Sequence, residues 1–391
     1  MQRGMATAAA TASYAGSHPE LTYRRFGNQG LMVSEAGFGG YRIVISIAEH
    51  RLALEHAIVS GINLIDTSAN YADGGSERLI GSVLAGLVKT GAVQREQIVI
   101  VSKAGYLQGE NLSLSQKRKQ AGDPFPELVL VDPGMEHCIH PEFLADQLTR
   151  SLQRLQVAHI DCFLLHNPEY YLKWAKRKQV AQAEAQAEYL RRIQQAFQYL
   201  EQEVAVGRIG CYGISSNTLP RPVADFERTD LSAIWDMAQT ISPAHHFRVI
   251  EFPCNLFEPG AATELNQPGD RSLLEYAADK NMTTLINRPL NAIQADQLIR
   301  LAENVYEGDA AIQAEDFRER IAKLDPDWDV KKLSHLAIRA LRSTFGITSV
   351  LVGMRQGGYV DDVLQELRQP CKACDRKKAW AAIAGEISTE K

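Results

Sequence analysis

The sequence lacks long apolar runs and is poor in cysteine. No apolar stretch approaches the ~20 residues that a helix needs to cross a bilayer, so we predict no transmembrane segment. Six cysteines are scattered over 391 residues, which suits a reducing compartment better than a disulfide framework. Only Cys371 and Cys374 form a C-x-x-C pair, whereas a zinc site needs about four ligands. We therefore expect unpaired thiols, no metal ion and a cytoplasmic protein.

A strong excess of either charge is also missing. The 42 basic and 47 acidic residues leave a formal net charge of −5, which gives no overall attraction to nucleic acid or to an anionic membrane. The basic stretch at 173–178 (KWAKRK) is better explained as a solvated helix face than as a binding patch. We therefore expect neither nucleic acid nor a membrane as a partner.

Short β-branched, apolar runs alternate along the chain with helical patterns. This alternation is typical of βα units that build a parallel sheet, and eight of them fit a closed (β/α)8 TIM barrel better than an open sheet. The predicted strands cover 36–39, 64–67, 98–103, 160–166, 209–215, 248–253, 284–287 and 349–353. Helical patterns cover 48–60, 76–89, 141–155, 184–205, 270–280, 330–345 and 360–368.

The barrel is flanked by two terminal segments. Residues 1–20 are small and polar and predict a flexible N-terminal tail. The barrel is expected over 21–370 and opens with a β-hairpin around Gly27 to Gly30. A C-terminal extension follows over 371–391.

Three connections are long for a barrel of this type, at 104–140, 168–184 and 291–329. Each follows a predicted strand, and the βα loops of a barrel form its active face. We expect these loops to shape the substrate pocket. Their conformations cannot be derived from the sequence, so the substrate and the oligomeric state stay open.

Three predicted strands end in a titratable side chain. Asp66 closes GINLID, Lys103 closes QIVIVSK and His166 closes HIDCFLLH. Tyr71 follows Asp66 by five residues, close enough for its loop to fold over the barrel mouth. A single strand-end Asp or His is usually a core group or a helix cap. Four such groups at the carboxyl ends of barrel strands instead predict an active site.

Together these four side chains can transfer a proton. A tyrosine titrates near ~10 in water, and an adjacent ammonium such as Lys103 lowers its pKa. Asp66 can pair with the buried lysine, and His166 can orient a substrate oxygen or share the proton. Hydride must then come from a cofactor, because no side chain donates it.

The same residues carry a resemblance to a known family. The stretches GINLIDTSANYADGGSERLIG, IVIVSK, HIDCFLLHNP, GRIGCYGISS and SVLVGMRQGGYVDD resemble the aldo-keto reductase superfamily in order and spacing. The resemblance implies an NADP(H)-dependent oxidoreductase that moves hydride between nicotinamide and the carbonyl carbon of an aldehyde, ketone or sugar. The catalytic roles of the family fall on Asp66, Tyr71, Lys103 and His166, with Tyr71 as general acid and base.

The resemblance also implies a set of cofactor contacts, some of which depart from the family pattern. The usual Ser-Asn pair for the carboxamide is Ser-Ser-Asn here, the usual Gln is a Glu, and the ring-stacking aromatic is an Asn. The implied contacts are Gly39, Gly40, Tyr41, Ser215, Ser216, Asn217, Glu251, Asn287, Arg288, Pro289, Leu290, Gly353, Met354, Arg355 and Tyr359.

Arg355 bears on the choice between the two nicotinamide cofactors. In the segment after the last strand it is the only cation available for a 2′-phosphate. NADP is therefore expected and NAD remains possible, since Arg355 could also simply face solvent.

Glu251 is the departure with the clearest chemical consequence. A carboxylate beside the ring would favour the cationic oxidised nicotinamide over the neutral reduced form. We therefore hypothesise a bias towards oxidation. The alternative is an ion pair from Glu251 to Arg288 or Arg248, away from the cofactor.

Two other classes of protein remain open at this stage. The altered carboxamide and stacking positions favour a barrel that binds nicotinamide nucleotide as a regulatory or redox-sensing subunit with little turnover. A metal-dependent hydrolase is a further alternative, but His137, His140 and His159 lie away from the strand ends and only His166 closes a strand.

Overall fold

The computed structural model describes residues 4–27, 30–294, 297–301 and 309–389. The strands are β1 (Tyr23–Phe26), β2 (Leu31–Ser34), β3 (Ala36–Gly39), β4 (Leu64–Asp66), β5 (Val99–Ala104), β6 (Tyr106–Leu107), β7 (Val129–Asp132), β8 (Met135–His137), β9 (Ile160–His166), β10 (Ile209–Ser215), β11 (Phe247–Pro253), β12 (Thr283–Asn287), β13 (Asn291–Gln294), β14 (Gln297–Arg300) and β15 (Ser349–Val352). The α-helices are α1 (Ala8–Ser17), α2 (Ala48–Val59), α3 (Gly75–Thr90), α4 (Gly109–Gln120), α5 (Pro141–Leu155), α6 (Tyr170–Arg177), α7 (Gln182–Ala205), α8 (Leu231–Ile241), α9 (Gly260–Thr263), α10 (Leu273–Asp279), α11 (Asp309–Ala322), α12 (Leu333–Arg342), α13 (Gly357–Leu367) and α14 (Lys377–Thr389).

Eight parallel strands close into a barrel in the order β3-β4-β5-β9-β10-β11-β12-β15, and β15 pairs with β3. These are the eight predicted strands, each within one residue of its predicted ends. The prediction of a (β/α)8 barrel is therefore confirmed. Strands β5 and β9 are buried along their whole length, which explains why they read as continuous apolar runs.

Side chains that alternate along the strands fill two cores. One set fills the barrel, and the alternate positions, such as Ile65, Ile100 and Phe163, belong to the larger core between barrel and helices. The barrel interior holds Leu64, Val99, Val101, Cys162, Leu164, Cys211, Val249, Leu285 and Leu351. This packed interior fixes the strand ends, and hence the side chains that project from them.

Gly213 sets the close contact between β10 and β11. A Cβ atom at this position would lie 1.9 Å from the Val249 carbonyl oxygen, so no larger residue fits. The register between the two strands shifts at Tyr212 and Gly213, and beyond the shift Ser215 lies opposite Glu251. The glycine therefore helps to align the carboxyl ends of these strands.

The amino end of the barrel is covered by the first segment of the chain. The Ala6 N–H donates to Asp161 at 2.7 Å, and Phe26 and Val33 of the β1–β2 hairpin join the apolar cluster of the barrel interior. Tyr14 on α1 is buried and donates its hydroxyl hydrogen to the Ile58 carbonyl. The hairpin is present as predicted. Within the segment expected as a flexible tail, residues 8–17 form helix α1, and Tyr14 packs it onto the protein.

Buried Glu35 holds the first and last barrel strands together. It accepts hydrogen bonds from Arg24 at 2.6 Å and from Arg342 at 2.7 Å. The Val350 N–H also donates to the Glu35 carbonyl at 2.9 Å. Residues more than 300 positions apart in the chain thus meet at the seam between β3 and β15.

The three long connections have secondary structure of their own. After β5, strands β6, β8 and β7 form a small antiparallel sheet beside α4. After β9 comes α6, and after β12 come the β13–β14 hairpin and α11. All three follow barrel strands and so lie at the carboxyl end of the barrel. Part of the third connection, 295–296 and 302–308, lies outside the described residues.

The C-terminal segment packs back onto the protein. Trp380 on α14 is fully buried and donates its ring N–H to Thr344 at 2.8 Å. Cys374 pairs with Thr344 in a short β-bridge and is exposed, whereas Cys371 is half-buried. Within the described ranges, no helix has both the length and the apolarity that a membrane crossing requires.

Candidate active site

The four predicted catalytic side chains meet at the carboxyl end of the barrel. Asp66, Lys103 and His166 lie at the ends of the neighbouring strands β4, β5 and β9. The Lys103 ammonium donates to Asp66 Oδ1 at 2.5 Å and lies 5.2 Å from the centre of the Tyr71 ring. The Tyr71 and His166 ring centres are 5.8 Å apart. Residues that lie up to 100 positions apart in sequence therefore form one cluster.

A tight loop brings Tyr71 over the barrel mouth. The Tyr71 N–H donates to the Ser68 carbonyl, and Ala72 and Asp73 adopt left-handed conformations with φ of 50° and 53°. Helix α3 then begins at Gly75, and the Ser76 hydroxyl donates to the Gly40 carbonyl at 2.8 Å. The loop is therefore tied both to itself and to the end of β3.

Glu77 and its neighbours support the site without facing it. Glu77 is fully buried, where it pairs with Arg154 at 2.6 Å and accepts from the Ser102 hydroxyl at 2.6 Å. It anchors the first turn of α3 to α5 and β5. The start of α3 at Gly75 agrees with the helix predicted over 76–89.

Lys103 lies between two carboxylates. Besides Asp66, Glu251 Oε2 lies 3.2 Å from the Lys103 nitrogen, and all three side chains are buried. Burial lowers the pKa of Lys103, but attraction to Asp66 and Glu251 outweighs it, so the lysine is held cationic. Burial raises the pKa of Asp66, Lys103 opposes this and Glu251 adds to it. One ammonium thus serves two acidic groups.

Tyr71 is protonated in this environment. Burial raises its pKa above the ordinary value, and the opposing effect of Lys103 is the smaller one. The prediction that Lys103 lowers the pKa of Tyr71 is correct for the direction of the lysine's contribution but wrong for the net shift, because burial dominates. Tyr71 is therefore a protonated phenol at the barrel mouth.

His166 is neutral at physiological pH. Burial and the nearby Lys103 hold its pKa well below the ordinary value. Its Nδ1 atom lies 2.9 Å from the Ser68 hydroxyl, and its backbone carbonyl lies 2.7 Å from His137 Nε2. The contact with Ser68 fixes the orientation of the imidazole ring at the barrel mouth.

Aromatic side chains that the sequence analysis missed line the same mouth. The Tyr106 ring lies 4.7 Å from His166, and Tyr170 lies 5.4 Å from Tyr106. Tyr41, which was predicted, lies 5.1 Å from the Tyr71 ring and is largely exposed. Tyr106 and Tyr170 belong to the long connections after β5 and β9, whose conformation no sequence pattern predicts.

The predicted cofactor positions lie around the rest of this rim. Gly39 lies opposite Asp66 at the end of β3, and Ser215 lies between His166 and Glu251. The next residue, Gly40, packs closely against the backbone of β4, because a Cβ atom there would lie 2.8 Å from the Asp66 carbonyl oxygen. Five of the barrel strands, β3, β10, β11, β12 and β15, thus contribute predicted contacts.

Three of these positions have a buried side-chain atom without a hydrogen bond in the described part of the chain, namely Glu251 Oε2, Asn287 Oδ1 and Arg288 Nε. The Asn287 amide donates to Glu251 Oε1 at 3.1 Å, which leaves Asn287 Oδ1 buried and unbonded. The Arg288 Nε atom is also buried and unbonded, although Arg288 pairs with Glu258 at 3.0 Å. Such atoms are costly unless a ligand or water satisfies them. The residues present therefore fit a polar ring system such as nicotinamide.

Other predicted contacts face away from the rim or support it. The Ser216 hydroxyl lies in a cluster with Thr218 and Thr229. Asn217 is exposed, and its N–H donates to the buried carboxylate of Glu169 at 2.9 Å. The suggested ion pairs from Glu251 to Arg288 or Arg248 are absent from the described residues, because Lys103 takes Glu251 instead.

The segment after β15 offers open backbone at a helix N-terminus. A Cβ atom added at Gly353, Gly357 or Gly358 would meet no neighbouring atom within 4 Å, and Arg355 is exposed beside them. Helix N-termini with accessible N–H groups favour phosphate. Of the remaining predicted contacts after β12 and β15, Pro289 and Met354 are buried, whereas Leu290 and Tyr359 are partly exposed.

Comparison with known proteins agrees with this geometry. The aldo/keto reductase family model matches residues 36–372. The chain is 22% identical over 385 residues to the aldo-keto reductase YhdN of Bacillus subtilis, covering 94% of this chain and 95% of the relative.

Solved structures of aldo-keto reductases share the fold. The holo form from Bacillus halodurans has a TM-score of 0.59 at 16% identity and covers 93% of this chain and 96% of its own. The enzyme from Klebsiella pneumoniae in complex with NADP and acetate has a TM-score of 0.55 at 17% identity, with 94% of each chain covered. Since the family model spans the barrel from its first strand to beyond its last helix, this chain belongs to the aldo/keto reductase family of NAD(P)-dependent oxidoreductases.

Proposed function

We propose that this protein transfers hydride between NADP(H) and the carbonyl carbon of an aldehyde, ketone or sugar, with Tyr71 as general acid and base. The observation that carries the proposal is the position of Lys103, which contacts both Asp66 and the Tyr71 ring. The centre of the Tyr71 ring lies 5.8 Å from the centre of the His166 ring. This arrangement serves proton transfer to a substrate oxygen. The bound nicotinamide supplies or accepts the hydride.

In the reducing direction, Tyr71 donates its proton to the carbonyl oxygen while neutral His166 donates a hydrogen bond to the same atom. The pKa of Tyr71 is raised by burial, so the proton is present at neutral pH. The Lys103 ammonium then stabilises the phenolate that remains. In the oxidising direction, the same phenolate accepts the proton of the alcohol.

NADP is the proposed cofactor. Arg355 and the open amides before α13 provide positive charge and hydrogen-bond donors for phosphate groups. The related enzyme from Klebsiella pneumoniae was solved in complex with NADP, which supports the same choice here. NAD remains the alternative cofactor if Arg355 makes no phosphate contact.

The test compares Tyr71→Phe with the wild type in oxidation of NADPH and NADH over a panel of aldehydes, ketones and sugars. We expect kcat to fall at least about a hundredfold, because a general acid is lost, while the Kd for nucleotide is unchanged. Tyr276→Phe on α10, remote from the site, is the matched control and should keep wild-type activity.

The same experiment separates the catalytic proposal from the regulatory alternative. A wild type that binds NADPH tightly but turns over none of the substrates, in either direction, would favour a regulatory barrel. Equal activity of Tyr71→Phe and wild type would remove Tyr71 from the proposed mechanism.

A further inference from the structure

The buried cluster around Lys103 has an excess of negative charge. Asp66 and Glu251 are both in contact with a single ammonium, at 2.5 and 3.2 Å. The side chains on either side of the cluster add no compensating charge, since burial keeps Tyr71 protonated and keeps His166 neutral. With both carboxylates ionised, the cluster therefore carries a net charge of −1.

Glu251 is held towards the interior of the rim. Asn287 donates to its Oε1 atom, and its Oε2 atom faces Lys103 without a well-aligned hydrogen bond. In the register of the barrel, Glu251 lies opposite Ser215, which in turn lies opposite His166. The carboxylate thus lies two strands away from the histidine, on the other side of β10, and contacts the lysine that lies beside Tyr71.

We propose that Glu251 makes the cofactor site favour the oxidised, cationic nicotinamide over the neutral reduced form. The inference rests on the proposed function, because it assumes that nicotinamide binds at this rim. Hydride transfer requires the ring to reach the substrate carbon beside the Tyr71 hydroxyl, and Tyr71 and Glu251 share Lys103 as a neighbour. The charge of Glu251 therefore acts on any ring that reacts there.

The size of the effect follows from Coulomb's law. Two unit charges ~10 Å apart, at an effective dielectric constant of ~20, interact strongly enough to change a binding constant about tenfold. Reduced nicotinamide is neutral and gains nothing from this attraction. Removal of the Glu251 charge should therefore change the ratio of the two affinities by about tenfold.

Protonation of the carboxylate pair competes with the bound cation. Burial raises the pKa of Asp66, and a proton on this carboxyl neutralises the cluster, so that proton and a cationic ring compete. The other titratable groups around the pair are Lys103, Tyr71 and Cys162. Lys103 stays cationic, and burial raises the pKa of Tyr71 and of Cys162 so that both stay neutral. The preference for the oxidised cofactor should therefore grow as the pH rises.

The test measures Kd for NADP⁺ and NADPH directly, by quenching of protein fluorescence at pH 8. In Glu251→Gln, which can keep the contact with Asn287, we expect the ratio of Kd for NADP⁺ to Kd for NADPH to rise about tenfold. Glu251→Asp retains the charge and should stay near the wild-type ratio. Glu20→Gln removes one exposed charge at the far end of the barrel and is the control for long-range effects.

A second measurement uses only the wild type, in case the substituted proteins fold poorly. The ratio of Kd for NADP⁺ to Kd for NADPH is measured from pH 6 to pH 9. Both nucleotides carry the 2′-phosphate, so the titration of this group cancels in the ratio. A rising preference for NADP⁺ supports the inference, and a flat profile overturns it.

Failure of the inference can be told apart from failure of the proposed function. If the wild type turns over substrate but Glu251→Gln leaves the affinity ratio unchanged, only the role of Glu251 is refuted. If the wild type binds neither nucleotide, the proposed function falls and the inference falls with it.

Discussion

Each end of the barrel buries a cation in contact with carboxylates. The two ends differ in how many carboxylates share that cation. At the amino end, Asp161 pairs with Arg95 at 2.8 Å and also accepts from the backbone N–H groups of Ala6 and Ile100. At the carboxyl end, two carboxylates share Lys103. The Asp161–Arg95 pair is balanced, whereas the Lys103 cluster has one carboxylate more than it has cations. We infer that the first serves stability and the second serves chemistry.

The largest effect on stability is expected at the amino end. Asp161→Asn leaves the buried Arg95 without its counter-ion, and breaking one partner of a buried pair costs about 3–5 kcal/mol. Denaturant unfolding should show this loss, while kcat and the nucleotide affinities stay close to wild type. Loss of activity in a folded Asp161→Asn protein would contradict the division of roles between the two ends.

At the carboxyl end, removal of a carboxylate should stabilise the protein rather than destabilise it. Because the folded state raises the pKa of Asp66 by burial, it holds a proton that the unfolded chain releases above about pH 4. Stability contributed by this proton is therefore present at low pH and is lost as the pH rises through the raised pKa. Glu251→Gln removes one of the two competing carboxylates and should raise the melting temperature at pH 8.

Glu251→Gln should raise the free energy of unfolding at pH 8 by on the order of 1 kcal/mol. Gains of this size are common when a substitution stabilises a protein at the expense of its function. It should shrink at pH 5, where the wild type already holds its proton. Thermal unfolding at both pH values measures this. An equal change in melting temperature at pH 5 and pH 8 would contradict proton sharing in the cluster.

The smallest effect concerns the N-terminal segment. Tyr14→Phe removes the buried hydrogen bond to the Ile58 carbonyl but keeps the ring in place, so we expect a loss of about 1 kcal/mol. Activity should not change. Wild-type stability of Tyr14→Phe would indicate that α1 adds little to the amino end.

The barrel strands, and the meeting of Asp66, Lys103 and His166 at one end of the barrel, could be predicted because their signals are local. Each strand is a short apolar run, and Asp66, Lys103 and His166 lie at the ends of such runs, which a parallel barrel brings to one face. The family resemblance added Tyr71 as the acid and base. Tyr106 and Tyr170 were not predictable, because they lie in long connections whose path depends on tertiary contacts.

Two further features depended on distances that the sequence does not encode. The sequence is compatible with either a nicotinamide ring or an arginine as the partner of Glu251. The structure adds Lys103, which approaches from β5 across the barrel interior. The N-terminal segment has a weakly amphipathic, alanine-rich composition, so its helix depends on packing against β2 rather than on a strong sequence pattern.

The seam at Glu35 also constrains how the chain folds. Arg24 and Arg342 reach this carboxylate from opposite ends of the sequence, so the barrel cannot close until the last strand has been synthesised. Contacts with such large sequence separation form slowly. Without β15, the other seven barrel strands have two open edges, at β3 and β12, and open edges are the sites at which a sheet pairs with other chains.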